Sequence, residues 1–149
     1  PLSSKREDTF IAGVSMGGYG AVKLALKNPD VFCAATSLSG CLDIESIAKS
    51  NDRLNRSLLF LIMGNVKDLS KSEENVIYLA ERLADSEKKK PGIYQVVGRE
   101  DFLYENNLVF KNAVEPIWGN YKYEESSGAH TWDFWDKYIP KMLDFFLKI

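Results

Sequence analysis

Three kinds of reactive side chain stand at separate points of the chain. Ser15 lies inside GVSMGGYGA (13–21), the carboxylates Glu100 and Asp101 are adjacent, and His130 is the single histidine. A serine hydroxyl is a weak nucleophile until an imidazole takes its proton, and the imidazole needs a carboxylate to hold its tautomer. Brought together, a serine, a carboxylate and a histidine transfer an acyl group through a covalent intermediate. The elements around them decide whether they can meet.

The glycine-rich stretch has two rival uses. A phosphate-cradling GxxxxGK[ST] loop would run from Gly13 to Gly18, but Tyr19 stands where lysine is required. A dinucleotide GxGxxG loop would start at Gly18-Tyr19-Gly20, but Ala21-Val22-Lys23 follows and the last glycine is missing. The pattern G-x-S-x-G does fit, from Gly13 to Gly17. In that pattern the serine sits on a strained turn between a strand and a helix, and its hydroxyl projects above the sheet. Positions 13 and 17 are expected to lie against each other with little room for a Cβ. The helix beginning there points its positive end at a forming oxyanion, and the Met16 backbone N–H is a natural oxyanion donor. Short motifs of this kind also arise by chance in glycine-rich turns, so the flanking elements carry the weight.

Those elements alternate. Thr9 to Val14 is short and almost continuously apolar, which predicts a strand buried on both faces, and Gly17 to Lys27 reads as a helix ended by Asn28-Pro29. Val31 to Leu38 is a second predicted strand. Residues 41–69 form a lid-like excursion whose apolar patch, 58–64, predicts a short helix capped by Gly64. Ser70-Lys71-Ser72-Glu73 reads as a capping box opening a helix striped by Val76, Ile77, Ala80, Leu83 and Ala84. Ile93 to Val97 and Tyr121 to Glu125 are further strands, Leu103 to Ala113 and Trp132 to Leu147 further helices. Alternation of this kind implies a mostly parallel sheet with helices on both faces. Ligands bind beyond the carboxyl ends of such strands. Ser15 follows the first strand, Glu100 and Asp101 the third, and the His130 loop the fourth. The order serine, acid, histidine is that of α/β-hydrolases. Position alone does not separate Glu100 from Asp101.

Bulk properties narrow the classes. The chain has 149 residues, the length of one ordinary domain, and 45% are hydrophobic, enough for a core. Net charge is −2 with both signs interspersed, so there is no basic footprint for nucleic acid. Lys88-Lys89-Lys90 ends a helix pattern and suits its carboxyl terminus. Cys33 and Cys41 lack CxxC spacing or a neighbouring histidine, which argues against zinc and reads as two reduced thiols in a cytoplasmic protein. No apolar run approaches the roughly 20 residues needed to span a membrane.

The blocks GVSMGGYGAVKLAL (13–26), GREDFLYENN (98–107) and SGAHTWDFWDKYIP (127–140) resemble the esterase D family of α/β-hydrolases. They are most similar to its bacterial tributyrin-esterase-like acyl esterases, with S-formylglutathione hydrolases as relatives. The resemblance implies an α/β-hydrolase fold and a serine esterase acting on short acyl esters or thioesters, with no cofactor and no metal. It implies Ser15 as nucleophile, Asp101 rather than Glu100 as acid, His130 as base and Met16 as oxyanion donor. Trp132 and Trp135 are expected to pack the last helix against the sheet, and Phe60, Ile62 and Met63 either to line an acyl pocket or to be plain core. Family members begin well before the nucleophile strand, whereas fourteen residues precede Ser15 here. Residues 1–149 are therefore expected to be a single partial domain, the C-terminal part of the fold. The missing N-terminal segment would carry the early strands and a second oxyanion donor. Its absence would expose an apolar edge, favouring a homo-oligomer and leaving this piece weakly active. An acyltransferase and a non-catalytic binding module are the alternatives.

Overall fold

The computed structural model describes residues 3–50, 57, 59, 61, 63, 64 and 68–149. After a short 3-10 turn, the order is β1 (Phe10–Val14), α1 (Met16–Lys27), β2 (Ala34–Leu38), α2 (Ile44–Lys49), α3 (Val76–Ala84), β3 (Gly92–Gly98), α4 (Tyr104–Val114), β4 (Tyr121–Ser126) and α5 (Trp132–Lys148). The four strands form one parallel sheet in the order β1-β2-β3-β4.

Successive strand residues point to opposite faces, so each face gathers its own core. Ile93 of β3 joins Val22 and Leu26 of α1, Leu83 of α3, and Phe110 and Val114 of α4 on one side. Tyr94 and Val96 join Leu38 of β2 and Phe134, Trp135 and Tyr138 of α5 on the other. Helices thus cover both faces, as expected of an α/β sheet.

Several boundaries differ from the sequence reading. Among the described residues β1 pairs with β2 alone and Ala12 is exposed, the open edge expected of a partial domain. β2 and β3, each flanked by two strands, are buried along their whole length. Val31 to Cys33 precede β2, with Val31 exposed in the turn. The capping box at 70–73 does not start α3. Ser70 Oγ donates to Asp68 and Glu73 pairs with Lys27, while Asn75 caps the helix by accepting from the N–H groups of Ile77 (3.0 Å) and Tyr78 (3.3 Å). Asparagine is as good a cap as serine, and this one stands directly before the buried Val76.

In the excursion at 41–69, Ser57, Leu59, Leu61 and Met63 are helical and Gly64 follows at φ +71°, the left-handed position a glycine cap takes. Phe60 and Ile62 lie outside the described residues, as do 51–56 and 65–67. Met63 packs against the α1/α3/α4 core.

Candidate active site

The chain must reverse sharply between β1 and α1, and the residue at the apex takes the strain. Ser15 has φ +56° and ψ −124°, a region that costs a non-glycine residue about 1–3 kcal/mol. Its N–H bonds Leu38 O of β2 at 2.9 Å, so the turn is anchored to the sheet. Ser15 occupies the cap position of α1, yet its side chain makes no capping bond, which leaves the hydroxyl uncommitted to the helix. Met16 opens the helix, so its N–H has no partner one turn back and faces the same end. A Cβ on Gly13 would fall 2.1 Å from Gly17 O, and one on Gly18 would fall 2.8 Å from Ser37 Oγ. The expected crowding is one-sided: a Cβ on Gly17 would meet nothing within 4 Å.

The turn after β3 supplies the carboxylate and the turn after β4 the imidazole. Asp101 has a fully buried carboxylate whose Oδ1 accepts from Leu103 N–H at 2.9 Å. His130 Nδ1 stands 3.0 Å from Asp101 Oδ1 and 2.9 Å from Oδ2. A carboxylate at Nδ1 favours the tautomer that carries its proton there, leaving Nε2 free to accept. The His130 side chain keeps 17% exposure, between Phe102 at 4.5 Å and the edge of Trp135 at 4.9 Å, centroid to centroid.

Glu100 has a different neighbourhood. It is exposed, accepts from Gly128 N–H and Ser127 Oγ, and is held below the usual carboxylate range chiefly by the Gly128 bond. Arg99 reaches across to Glu125 at 2.8 Å, which also accepts from Tyr104 and Tyr123. Arg99, Glu100 and Asp101 thus grip the end of β4 and the loop carrying His130 at three successive points. Gly98 allows the approach, because a Cβ there would lie 2.0 Å from Gly128 O.

A cavity of about 600 Å³ opens at this end of the sheet, with Ser15 and Met16 in its wall beside Ile47, Leu59, Phe102 and Leu103. Glu105 is the one charged residue in that wall among the described residues. Cys41 also lines it, but burial, followed by Asp43, pushes its thiol up to about 11, so it stays protonated at neutral pH and is no rival nucleophile. Asp101 and His130 are in direct contact, and Ser15 shares the cavity with Phe102, whose ring lies tilted against His130. No hydrogen bond joins Ser15 Oγ to His130 among the described residues; such bonds commonly tighten only when substrate is bound.

The two tryptophans separate. Trp135 is buried, donates Nε1–H to Ser39 Oγ at 3.0 Å and packs α5 on the sheet as expected. Trp132 does not: it is 65% exposed at the first residue of α5, with its ring against Trp135. Phe102 and Leu59 were missed as pocket residues, although Phe102 lies in the block 98–107 and Leu59 in the apolar patch 58–64 from which pocket residues were expected. The grip of Arg99 and Glu100 could have been suspected from two charges beside an acid candidate at a strand end.

The Esterase family model matches residues 1–146. The chain is 34% identical over 154 residues to an acetyl esterase of Caldicellulosiruptor saccharolyticus, covering 100% of this chain and 58% of that protein. It superposes on FphF, a fluorophosphonate-binding serine hydrolase of Staphylococcus aureus, with TM-score 0.84 and 33% identity over 98% of this chain and 56% of that one. It also superposes on the S-formylglutathione hydrolase FrmB of Staphylococcus aureus, with TM-score 0.82 and 33% identity over 98% and 57%. The chain therefore spans a little over half the length of these relatives. The match along nearly the whole of its own length makes this chain a member of the Esterase family.

Proposed function

We propose that the protein to which this chain belongs is a serine hydrolase of short-chain carboxylic esters. Ser15 is the nucleophile, His130 the base and Asp101 the residue that orients the base. The observation that carries this reading is the buried Asp101 carboxylate on His130 Nδ1, at the same sheet end as the strained Ser15 turn. Its relatives lend support: one is an acetyl esterase and another binds fluorophosphonates.

His130 Nε2 takes the Ser15 proton as Oγ attacks the ester carbonyl, and the new oxyanion accepts from Met16 N–H. The tetrahedral intermediate collapses, the C–O bond to the alcohol breaks, and Nε2–H protonates the departing oxygen. Water then attacks the acyl-enzyme by the same route and frees Ser15. Asp101 keeps the proton on Nδ1 throughout and stabilises the imidazolium.

A second reading, thioester hydrolysis, has the support of the equally similar S-formylglutathione hydrolase. Both are tested on the whole protein with acetyl to octanoyl p-nitrophenyl esters alongside S-formylglutathione. Ester turnover together with fluorophosphonate labelling that Ser15→Ala abolishes is the expected result. Labelling that survives Ser15→Ala removes Ser15 from its role.

A further inference from the structure

A buried amide sits between the nucleophile turn and the acid turn. Asn107, on α4, is fully buried. Its Nδ2 donates to Gly40 O at 2.8 Å and to Leu103 O at 2.9 Å. Its Oδ1 accepts from Gln95 Nε2 at 2.9 Å, and Gln95 Oε1 in turn accepts from Tyr121. Both amide protons therefore face carbonyls and the oxygen faces a donor, which sets the orientation of the amide.

The two carbonyls belong to the two halves of the site. Gly40 lies between Ser39, which holds Trp135 against His130, and Cys41, whose N–H approaches Ser15 O at 3.4 Å. Leu103 N–H holds Asp101 Oδ1. Read as one path, Ser15 O meets Cys41 N–H, Gly40 O meets Asn107, and Asn107 meets Leu103, which grips Asp101. Few other polar side chains bridge these loops: Asn106, next to it, ties Asp43 to the same helix end at 3.0 Å.

We propose that Asn107 is a positioning residue for the acyl-transfer reaction, fixing the distance from the Ser15 turn to the Asp101–His130 pair. This rests on the roles assigned above to Ser15, His130 and Asp101. A buried network of this kind has two tight carbonyl contacts that only a two-proton donor satisfies. Asn107→Asp keeps the shape but sets an oxygen against those carbonyls, so the two turns part. Misplacing reacting groups by about an ångström costs up to roughly a hundredfold in rate without weakening substrate binding.

The test uses the whole protein. Asn107→Asp and Asn107→Ser are compared with Val114→Ala, a core change at the far end of the same helix. Melting temperature, kcat and KM for a p-nitrophenyl ester, and the rate of fluorophosphonate labelling are measured for each. The expected result is a fall in kcat and labelling rate of about tenfold to a hundredfold, with KM nearly unchanged. Val114→Ala should lose comparable thermal stability and keep its kcat. Equal kcat in the Asn107 variants and in Val114→Ala overturns the proposal, as does a loss confined to KM. Should neither Asn107 variant fold, Gln95→Met removes the β3 amide that orients Asn107 and is judged by the same two outcomes. Ser15→Ala is run alongside: activity that survives it defeats the nucleophile assignment itself, whereas loss there with unaffected Asn107 variants defeats only the positioning role.

Discussion

Gly13 and Gly17 face each other across the Ser15 turn, and only one of them has to be glycine for lack of space. A Cβ on Gly13 would sit 2.1 Å from Gly17 O, inside backbone that cannot yield, while a Cβ on Gly17 would point into open space. Gly13→Ala is therefore expected to destabilise the protein by about 1–3 kcal/mol through overpacking. Gly17→Ala, at an exposed position in the first turn of α1, is expected to be neutral or to stabilise by about 0.4–1 kcal/mol. Thermal unfolding of both variants checks the asymmetry, and equal losses would contradict it.

Asp101 and Glu100 are neighbours with separable duties. Asp101→Asn leaves an amide beside His130 Nδ1 that favours the wrong tautomer, and kcat is expected to fall on the order of 10⁴-fold. Glu100→Gln keeps an acceptor for Gly128 N–H, so its kcat should fall far less. A larger loss from Glu100→Gln than from Asp101→Asn would exchange the two assignments.

The Glu100 bond also carries a pH signature. Its pKa is lowered in the folded protein, chiefly by the Gly128 N–H. A depressed carboxyl pKa means the folded state favours the ionised form. The contribution is thus fully present above the ordinary glutamate value, ~4.3, and lost as pH falls through the lowered folded value. The protection of the Gly128 N–H, taken relative to its intrinsic exchange rate at each pH, should be high at neutral pH and fall at acid pH, and Glu100→Gln should flatten that dependence.

Trp132 and Trp135 invite a paired comparison. Trp135→Phe removes the donor to Ser39 and loosens the ring edge on His130, so it should lower both thermal stability and kcat. Trp132→Ala, at a 65% exposed position, should leave the melting temperature within experimental error. A large drop in melting temperature for Trp132→Ala would show that the exposed ring is covered in the whole protein.

If one oxyanion donor lies beyond this chain, the isolated 149 residues should hydrolyse a p-nitrophenyl ester at least about a hundredfold more slowly than the whole protein, since one donor is worth about 3 kcal/mol. Matching turnover numbers would refute that division.

The nucleophile turn was readable because its requirements are local: a strand, a serine and two glycines within five positions. The choice between Glu100 and Asp101 was not, because it depends on which carboxylate the His130 loop meets across the sheet. The misread cap at Ser70 has a similar cause. Ser70-Lys71-Ser72-Glu73 has the right residues, but Lys27 on α1 claims Glu73 and Asn75 stands closer to the apolar stripe. Asn107 lies in the block 98–107, but its role was not legible there, since its partners, Gly40 O, Leu103 O and Gln95, are set by the fold.

Strand order and chain order coincide in this sheet. Within residues 10–126, each strand docks on the one made just before it. Pairing along these four strands can follow synthesis, with the longest wait between β2 and β3, where Ala34 pairs with Gly92. Along that path the strained serine turn forms first, the acid turn third, and the histidine comes with the last loop. On the roles proposed above, a chain halted before the His130 loop would hold a serine without its base.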